Sequence, residues 1–255
     1  LNMKNKSKRR TITYGFKEGA DVLASSEKIF YSNEGEPQGV IFRIDESGSS
    51  LPVVIEGVFG INHVYATLAS LTLSSGLKFN MIDAVNALKN YEVPPGRMRL
   101  LQGINNSLLI DDTYNSSPFA SLAALSTLGE IKSNGRKIAV LADMLELGRH
   151  TKEAHLKVGK MAKENVDVLI VVGPRAVGIK EGAIENNMSE ENIFEFSDSI
   201  EAGKFLEDFI QAKDIVFIKG SQGMRMERTV ESILENKSDK EKLLVRQEPE
   251  WQMKN

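Results

Sequence analysis

Beyond residue 106 the sequence keeps returning to one unit, a short and continuously apolar run followed by an amphipathic stretch, and this alternation leaves few folds open. The runs are SLLID (107–111), KIAVLAD (137–143), DVLIVVG (167–173) and DIVFIKG (214–220). Helical patterns separate them. One spans about 118–130, and the next, about 152–163, places Ala154, Val158, Met161 and Ala162 on one stripe. A third opens at Asp198, with Glu201 in capping-box position and Ala202, Leu206, Phe209 and Ile210 turned inward. A last helix carries Met226, Val230, Ile233 and Leu234. Continuously apolar strands between amphipathic helices are what a parallel sheet covered on both faces requires. The expectation is an α/β fold with a Rossmann-like, doubly wound and mostly parallel sheet.

The chain ahead of this region is organised differently. VPPG (93–96) puts two prolines and a glycine in a row, which ends a helix and marks the main domain boundary. From Thr11 to about Gly60 the pattern is strand-like: GVIFRIDE (39–46) alternates, LPVVIEG (51–57) is more continuously apolar, and ESGSS lies between them as a turn. The edge of a mixed sheet is the expected outcome. Helices are expected over about 62–75 and 80–90, the second capped by Asn80 with Met81, Val85 and Leu88 on one face. At the other end, residues 238–255 read as a charged tail, with NKSDKEK (236–242) as a solvated run.

Composition narrows the function classes. A net charge of -3 argues against nucleic acid or an anionic membrane as the main partner, because phosphate binding needs clustered Lys and Arg. With no cysteine, disulfides, thiolate nucleophiles and Cys-ligated zinc are excluded, which suits a cytoplasmic protein. Three histidines, His63, His150 and His155, make a multi-histidine metal site an unpromising expectation. The N-terminal LNMKNKSKRR is basic, but TITYGFKEGADV after it is too polar for a signal peptide, and no run is long enough to span a membrane. A first residue of Leu rather than Met suggests a chain cut from something longer or an unusual start codon.

In an open α/β sheet, ligands bind beyond the carboxyl ends of the strands, where loops and helix N-termini present backbone N–H groups. The first such end, Asp111-Asp112-Thr113-Tyr114-Asn115-Ser116-Ser117-Pro118, is a dense polar cluster. Paired aspartates there suit ribose hydroxyls or a cation held through water. An Asx turn with an N-cap accounts for the same residues without a ligand. The second end, ADMLELG (142–148), offers Asp143 and Glu146, which a capping turn also explains. The last, KGSQGMRMER (219–228), sets Lys219, two glycines and Ser221 ahead of a helix with Arg225 and Arg228, an anion cradle or an ordinary helix entry. Arg97 is either a bidentate phosphate ligand or a surface arginine. His155 reads as a packed helix histidine and His63 as structural. No G-x-x-x-x-G-K-[ST] string occurs, so the sequence holds no Walker A loop.

The strings GRMRLLQGINNSLLIDDTYNSSP, RKIAVLADMLELG, H-x-x-V-G (155–159), KGSQGMRMER and LVRQE (244–248) together resemble the Mur ligase family, of the MurF type. The resemblance also takes in YGFKEGADVLAS (14–25) and GINHVYATLAS (60–70), so it covers nearly the whole chain. It implies that residues 1–95 are the latter part of a central ATPase domain and residues 96–237 a C-terminal Rossmann-like domain. The implied reaction joins D-alanyl-D-alanine to UDP-N-acetylmuramoyl-tripeptide, with ATP activating the substrate carboxylate as an acyl phosphate and Mg2+ as the metal. By the same resemblance Arg97 approaches the nucleotide phosphates, Asp112 the ribose hydroxyls, and Tyr114 and Asn115 line the cleft. Asn62 and His63 are implied near the adenine, although GINHVYA reverses the family order G-x-H-N-x-x-N and puts Ala66 in place of its second asparagine. Asp143, Lys219, Ser221 and Arg225 are implied for the amine component. The family's phosphate loop, magnesium ligands, carbamylated lysine and UDP-binding domain have no counterpart in this sequence, so the metal ligands and a separate N-terminal ligase half are expected elsewhere. A noncatalytic nucleotide- or peptide-binding module is the alternative from another class.

Overall fold

The computed structural model describes residues 11–253, and the basic stretch over residues 1–10 lies outside them. The chain divides into two compact units, one built on residues 38–92 and the chain before residue 33, the other on residues 33–37 and everything from residue 93 onward. Among the described residues no helix is long and apolar enough to cross a membrane.

In the first unit β1 (Tyr14–Gly15), β2 (Val22–Tyr31), β3 (Pro37–Glu46) and β4 (Ser49–Glu56) form a sheet in that order. β1 runs parallel to β2, while β3 and β4 make an antiparallel hairpin. Among the described residues this is a four-stranded mixed sheet. Val40, Phe42 and Ile44 alternate inward along β3, with Val53 and Ile55 on β4, as period-two patterning requires. α1 (Ile61–Gly76) buries Val64, Leu68 and Leu71. α2 (Met81–Ala87) is capped as the sequence implies: Asn80 Oδ1 accepts from the N–H groups of Ile82 and Asp83 at 2.8 and 3.2 Å.

The second unit is the alternating one. Its elements are β5 (Arg99–Gly103), β6 (Ser107–Asp112), α3 (Pro118–Glu130), β7 (Lys137–Ala142), α4 (Thr151–Asn165), β8 (Val168–Val172), α5 (Val177–Glu185), β9 (Ile193–Phe196), α6 (Ser199–Phe209), β10 (Ile215–Lys219) and α7 (Glu227–Ile233). Two short helices follow, α8 (Lys240–Leu243) and α9 (Pro249–Gln252). The sheet order is β5-β6-β10-β7-β8-β9, parallel except for β5, which pairs antiparallel with β6. All five residues of β8 are buried, and each such aliphatic side chain contributes roughly 1.5–3 kcal/mol relative to exposure. Leu109, Val140, Ile170 and Ile218 share one core with Ala202 and Leu206 of α6 and Val230 and Ile233 of α7. The alternate strand residues, Ile110, Leu141, Val171 and Phe217 among them, are buried as well and point to the other face, the side left to α3, α4 and α5.

α4 and α5 touch backbone to backbone: a Cβ on Gly159 would lie 1.9 Å from the Ile179 carbonyl oxygen, and one on Gly182 2.1 Å from that of Leu156. The glycine of H-x-x-V-G is therefore a packing requirement.

β5, α5 and β9 are not anticipated from the sequence. β9 is a four-residue edge strand with no fully buried residue, and α5 carries two glycines in nine residues, so neither shows the expected periodicity. The capping box is also shifted: Asp198 accepts from the N–H groups of Ile200 and Glu201, while Glu201 reaches Ser197 N–H and Oγ instead of Asp198. Past the solvent-exposed run at 236–239, the chain packs down again at Leu244 and Arg246.

Because β10, the last strand, inserts between β6 and β7, the helices change face across this point of the sheet. The loops after β6, β7 and β10 therefore open side by side at the carboxyl edge, where a doubly wound sheet takes its ligands.

Candidate functional site

β6 ends in two aspartates that point to opposite faces, and both are buried. Asp111 accepts from Gly96 N–H at 3.0 Å, Thr113 N–H at 3.1 Å and the Thr113 hydroxyl at 2.6 Å. Burial pushes its carboxyl up to about 6, with these hydrogen bonds pulling the other way. The Asx-turn account is correct for Asp111. Asp112 lies in register with Lys219 of β10, and that register makes the pair. Lys219 Nζ donates to Asp112 Oδ2 at 2.6 Å and to the Asn115 carbonyl at 2.9 Å, while Met98 N–H donates to Asp112 Oδ1 at 3.2 Å. Burial raises the Asp112 carboxyl above its ordinary range against the pull of Lys219.

The Pro94-Pro95-Gly96 turn is latched onto this strand end. Gly96, at φ +69°, accepts from Tyr114 N–H at 3.1 Å, and a Cβ there would lie 2.8 Å from Tyr114 N. The latch sets Arg97 over the Tyr114 ring, its guanidinium carbon 4.0 Å from the centroid. Tyr114 is 48% exposed, and Arg97 and Asn115 are exposed beside it. The fold thus brings together Arg97, Asp112, Tyr114, Asn115 and Lys219. Asn62 and His63 belong to the first unit, in the first turn of α1, Asn62 exposed and His63 half-buried.

The loops after β7 and β10 form a second, tightly bonded shelf. Asp143 accepts from the N–H groups of Arg175 and Ala176 at 2.8 and 2.7 Å and from the Arg175 guanidinium at 3.3 Å, so it caps the turn that opens α5. Ser221 N–H donates to the Asp143 carbonyl at 3.1 Å, and Ser221 Oγ accepts from Leu145 N–H at 2.8 Å. His155 is fully buried: Met144 N–H donates to its Nε2 at 3.0 Å, and its Nδ1 faces the Thr151 carbonyl at 2.7 Å. It is a packed histidine, as the helix pattern indicated. In the turn after Ser221, Arg225 Nε donates to Glu227 Oε1 at 2.6 Å and another of its nitrogens to the Trp251 carbonyl at 2.9 Å.

Two residues bordering the site were not singled out by sequence reasoning, Arg246 and Trp251. With Pro94, Pro95, Arg97 and Tyr114 they line a cleft of about 1010 Å³. The available signal was a lone cation after an apolar pair in LVRQE, and Trp251 is the chain's single tryptophan.

Residues 96–222 match the family model described as Mur ligase, glutamate ligase domain. The UDP-N-acetylmuramoyl-tripeptide–D-alanyl-D-alanine ligase of Escherichia coli strain K12 is 29% identical over 204 residues, covering 78% of this chain and 42% of the relative. Among solved structures, the MurF ligase of Thermotoga maritima in complex with ADP superposes with a TM-score of 0.70 at 26% identity, over 92% of this chain and 50% of that one. MurF from Acinetobacter baumannii gives 0.72 at 28% identity, over 86% and 46%. The chain therefore spans half or less of the length of the proteins it matches.

Proposed function

We propose that this chain, a Mur ligase family member by its residues 96–222, supplies the C-terminal part of a MurF-type ligase that joins D-alanyl-D-alanine to UDP-N-acetylmuramoyl-tripeptide at the expense of ATP. One observation carries the reading: the turn at Gly96 and the ends of β6 and β10 converge to place Arg97, Tyr114, Asn115 and the Asp112–Lys219 pair at one carboxyl edge. That edge opens on the cleft shared by Arg97 and Tyr114. In this reading the Arg97 guanidinium neutralises phosphate charge, and Asp112 takes a ribose hydroxyl. Asp112 keeps 12% of its side chain exposed, and each carboxylate oxygen has a second lone pair for such a donor. Tyr114 and Asn115 border the same nucleotide, with Asn62 and His63 assigned to its base.

The chemistry is acyl activation. The substrate carboxylate attacks the γ-phosphorus and releases ADP; the amine of D-alanyl-D-alanine then attacks the acyl carbon and phosphate leaves. The residues assigned to the amine component, Asp143, Lys219, Ser221 and Arg225, enter as its frame, since the contacts of each brace neighbouring loops. Mg2+ finds no group of three His, Asp or Glu side chains to hold it among the described residues, and its ligands are assigned to the ligase half that this chain does not span. A cytoplasmic setting and a partner polypeptide carrying the phosphate loop complete the proposal.

The test is complementation. With a separately expressed N-terminal half, phosphate release is expected only when ATP, UDP-N-acetylmuramoyl-tripeptide and D-alanyl-D-alanine are all present. Release at background would leave the noncatalytic binding module as the better account.

A further inference from the structure

LVRQE belongs to the resemblance, yet none of the roles assigned above falls on it. Arg246 at its centre is a charged side chain only 7% exposed. Its guanidinium donates to the Thr113 carbonyl at 3.1 Å, to the Tyr114 carbonyl, and to Glu227 Oε2 at 3.1 Å. Lys219, also buried, takes the Asn115 carbonyl at 2.9 Å. Three successive carbonyls of the loop after β6 are therefore held by two buried cations, a demand far beyond that of an ordinary surface loop.

The side chains above this backbone alternate cation and ring. Arg97 lies 4.0 Å from the Tyr114 centroid, Arg246 5.9 Å from Tyr114 and 5.7 Å from Trp251, and Arg225 5.4 Å from Trp251. Arg246 and Arg225 both have left-handed backbones, φ +61° and +54°, which a residue with a Cβ holds only when its surroundings enforce it. A planar fork with several fixed donors can span two carbonyls and a carboxylate at once; an ammonium cannot do so with the same geometry.

We propose that Arg246 is a positioning residue for the nucleotide site: by gripping the Thr113 and Tyr114 carbonyls it sets the direction in which the Tyr114 ring leaves the loop, and hence where Arg97 is presented. The proposal rests on the nucleotide reading of Arg97, Asp112 and Tyr114 above.

The test uses Arg246→Met and Arg246→Lys in the full chain, complemented with the N-terminal half. The ATP KM is expected to rise about tenfold in R246M and less in R246K, with kcat within about twofold of wild type. Tyr114 N–H, bonded to the Gly96 carbonyl at 3.1 Å, should exchange with deuterium about tenfold faster in the same variants while the amides of β8 keep their rates. An ATP KM unmoved in both variants overturns the proposal, whatever happens to thermal stability, since lost stability alone marks a purely structural residue. R246K decides the matter if R246M does not fold. If the wild-type pair shows no ATP-dependent activity, the nucleotide reading falls, and the Tyr114 exchange rate by itself decides whether Arg246 sets the loop.

Discussion

α1 of the first unit and α4 of the second are of similar length and differ in what they do with their outer faces. α4, TKEAHLKVGKMAKEN, buries Ala154, His155, Val158 and Ala162 and gives solvent Lys152, Glu153, Lys157 and Lys160. α1, INHVYATLASLTLSSG, has no Asp, Glu, Lys or Arg at all. It buries Val64, Leu68 and Leu71, yet Tyr65 is 43% exposed and Leu73 64%, with Leu77 at 61% and Phe79 at 65% just beyond the helix. Its exposed face mixes these apolar side chains with Asn62 and Ser70 and carries no charge. α4 thus keeps its exposed face charged, whereas α1 leaves large apolar side chains on an uncharged exposed face.

The largest expected effect separates the second unit, less its short 33–37 segment, from the chain before residue 93. Residues 93–255 made alone should unfold in a single cooperative urea transition, while residues 11–92 made alone should be less stable by more than about 3 kcal/mol or show no transition at all. Equal transitions would break the comparison.

The next effect sharpens it within the second unit, where stability is set by the interior. The folded Asp111 carboxyl keeps its proton up to about pH 6, the unfolded one only to 3.8. The raised carboxyl is without penalty below the unfolded value. Stability is then lost as pH climbs through this window, by about 3 kcal/mol in all. Relative to Asp111→Asn, the wild-type unfolding free energy should fall between about pH 4 and about pH 6, and a flat difference would remove Asp111 as the cause.

The smallest effect lies on the exposed face of α1. Leu73→Lys should change the stability of the chain by no more than about 0.5 kcal/mol while lowering its binding of a hydrophobic dye. A loss beyond about 2 kcal/mol would mean that this chain itself covers Leu73.

These contrasts also show what the sequence could and could not disclose. SLLID, KIAVLAD, DVLIVVG and DIVFIKG were legible because burial on both faces leaves an unbroken apolar run. β9 was not, because Ile193, Phe194 and Phe196 are only partly buried around an exposed Glu195. Asp111, Asp112 and Tyr114 stood out as a polar cluster at a strand end. That Asp111 is a turn residue and Asp112 a lysine partner depends on Gly96 folding back and on β10 aligning with β6. The grip of Arg246 on Thr113 joins residues 133 positions apart, and no local pattern encodes it.

The central claim is that the ends of β6 and β10 form part of an ATP site. Its most direct test is Asp112→Asn against wild type in the complemented ligase, measured as kcat/KM for ATP with the fold checked by circular dichroism. The account predicts a loss of roughly ten- to a hundredfold in kcat/KM for ATP. An ATP kcat/KM equal to that of wild type would contradict it.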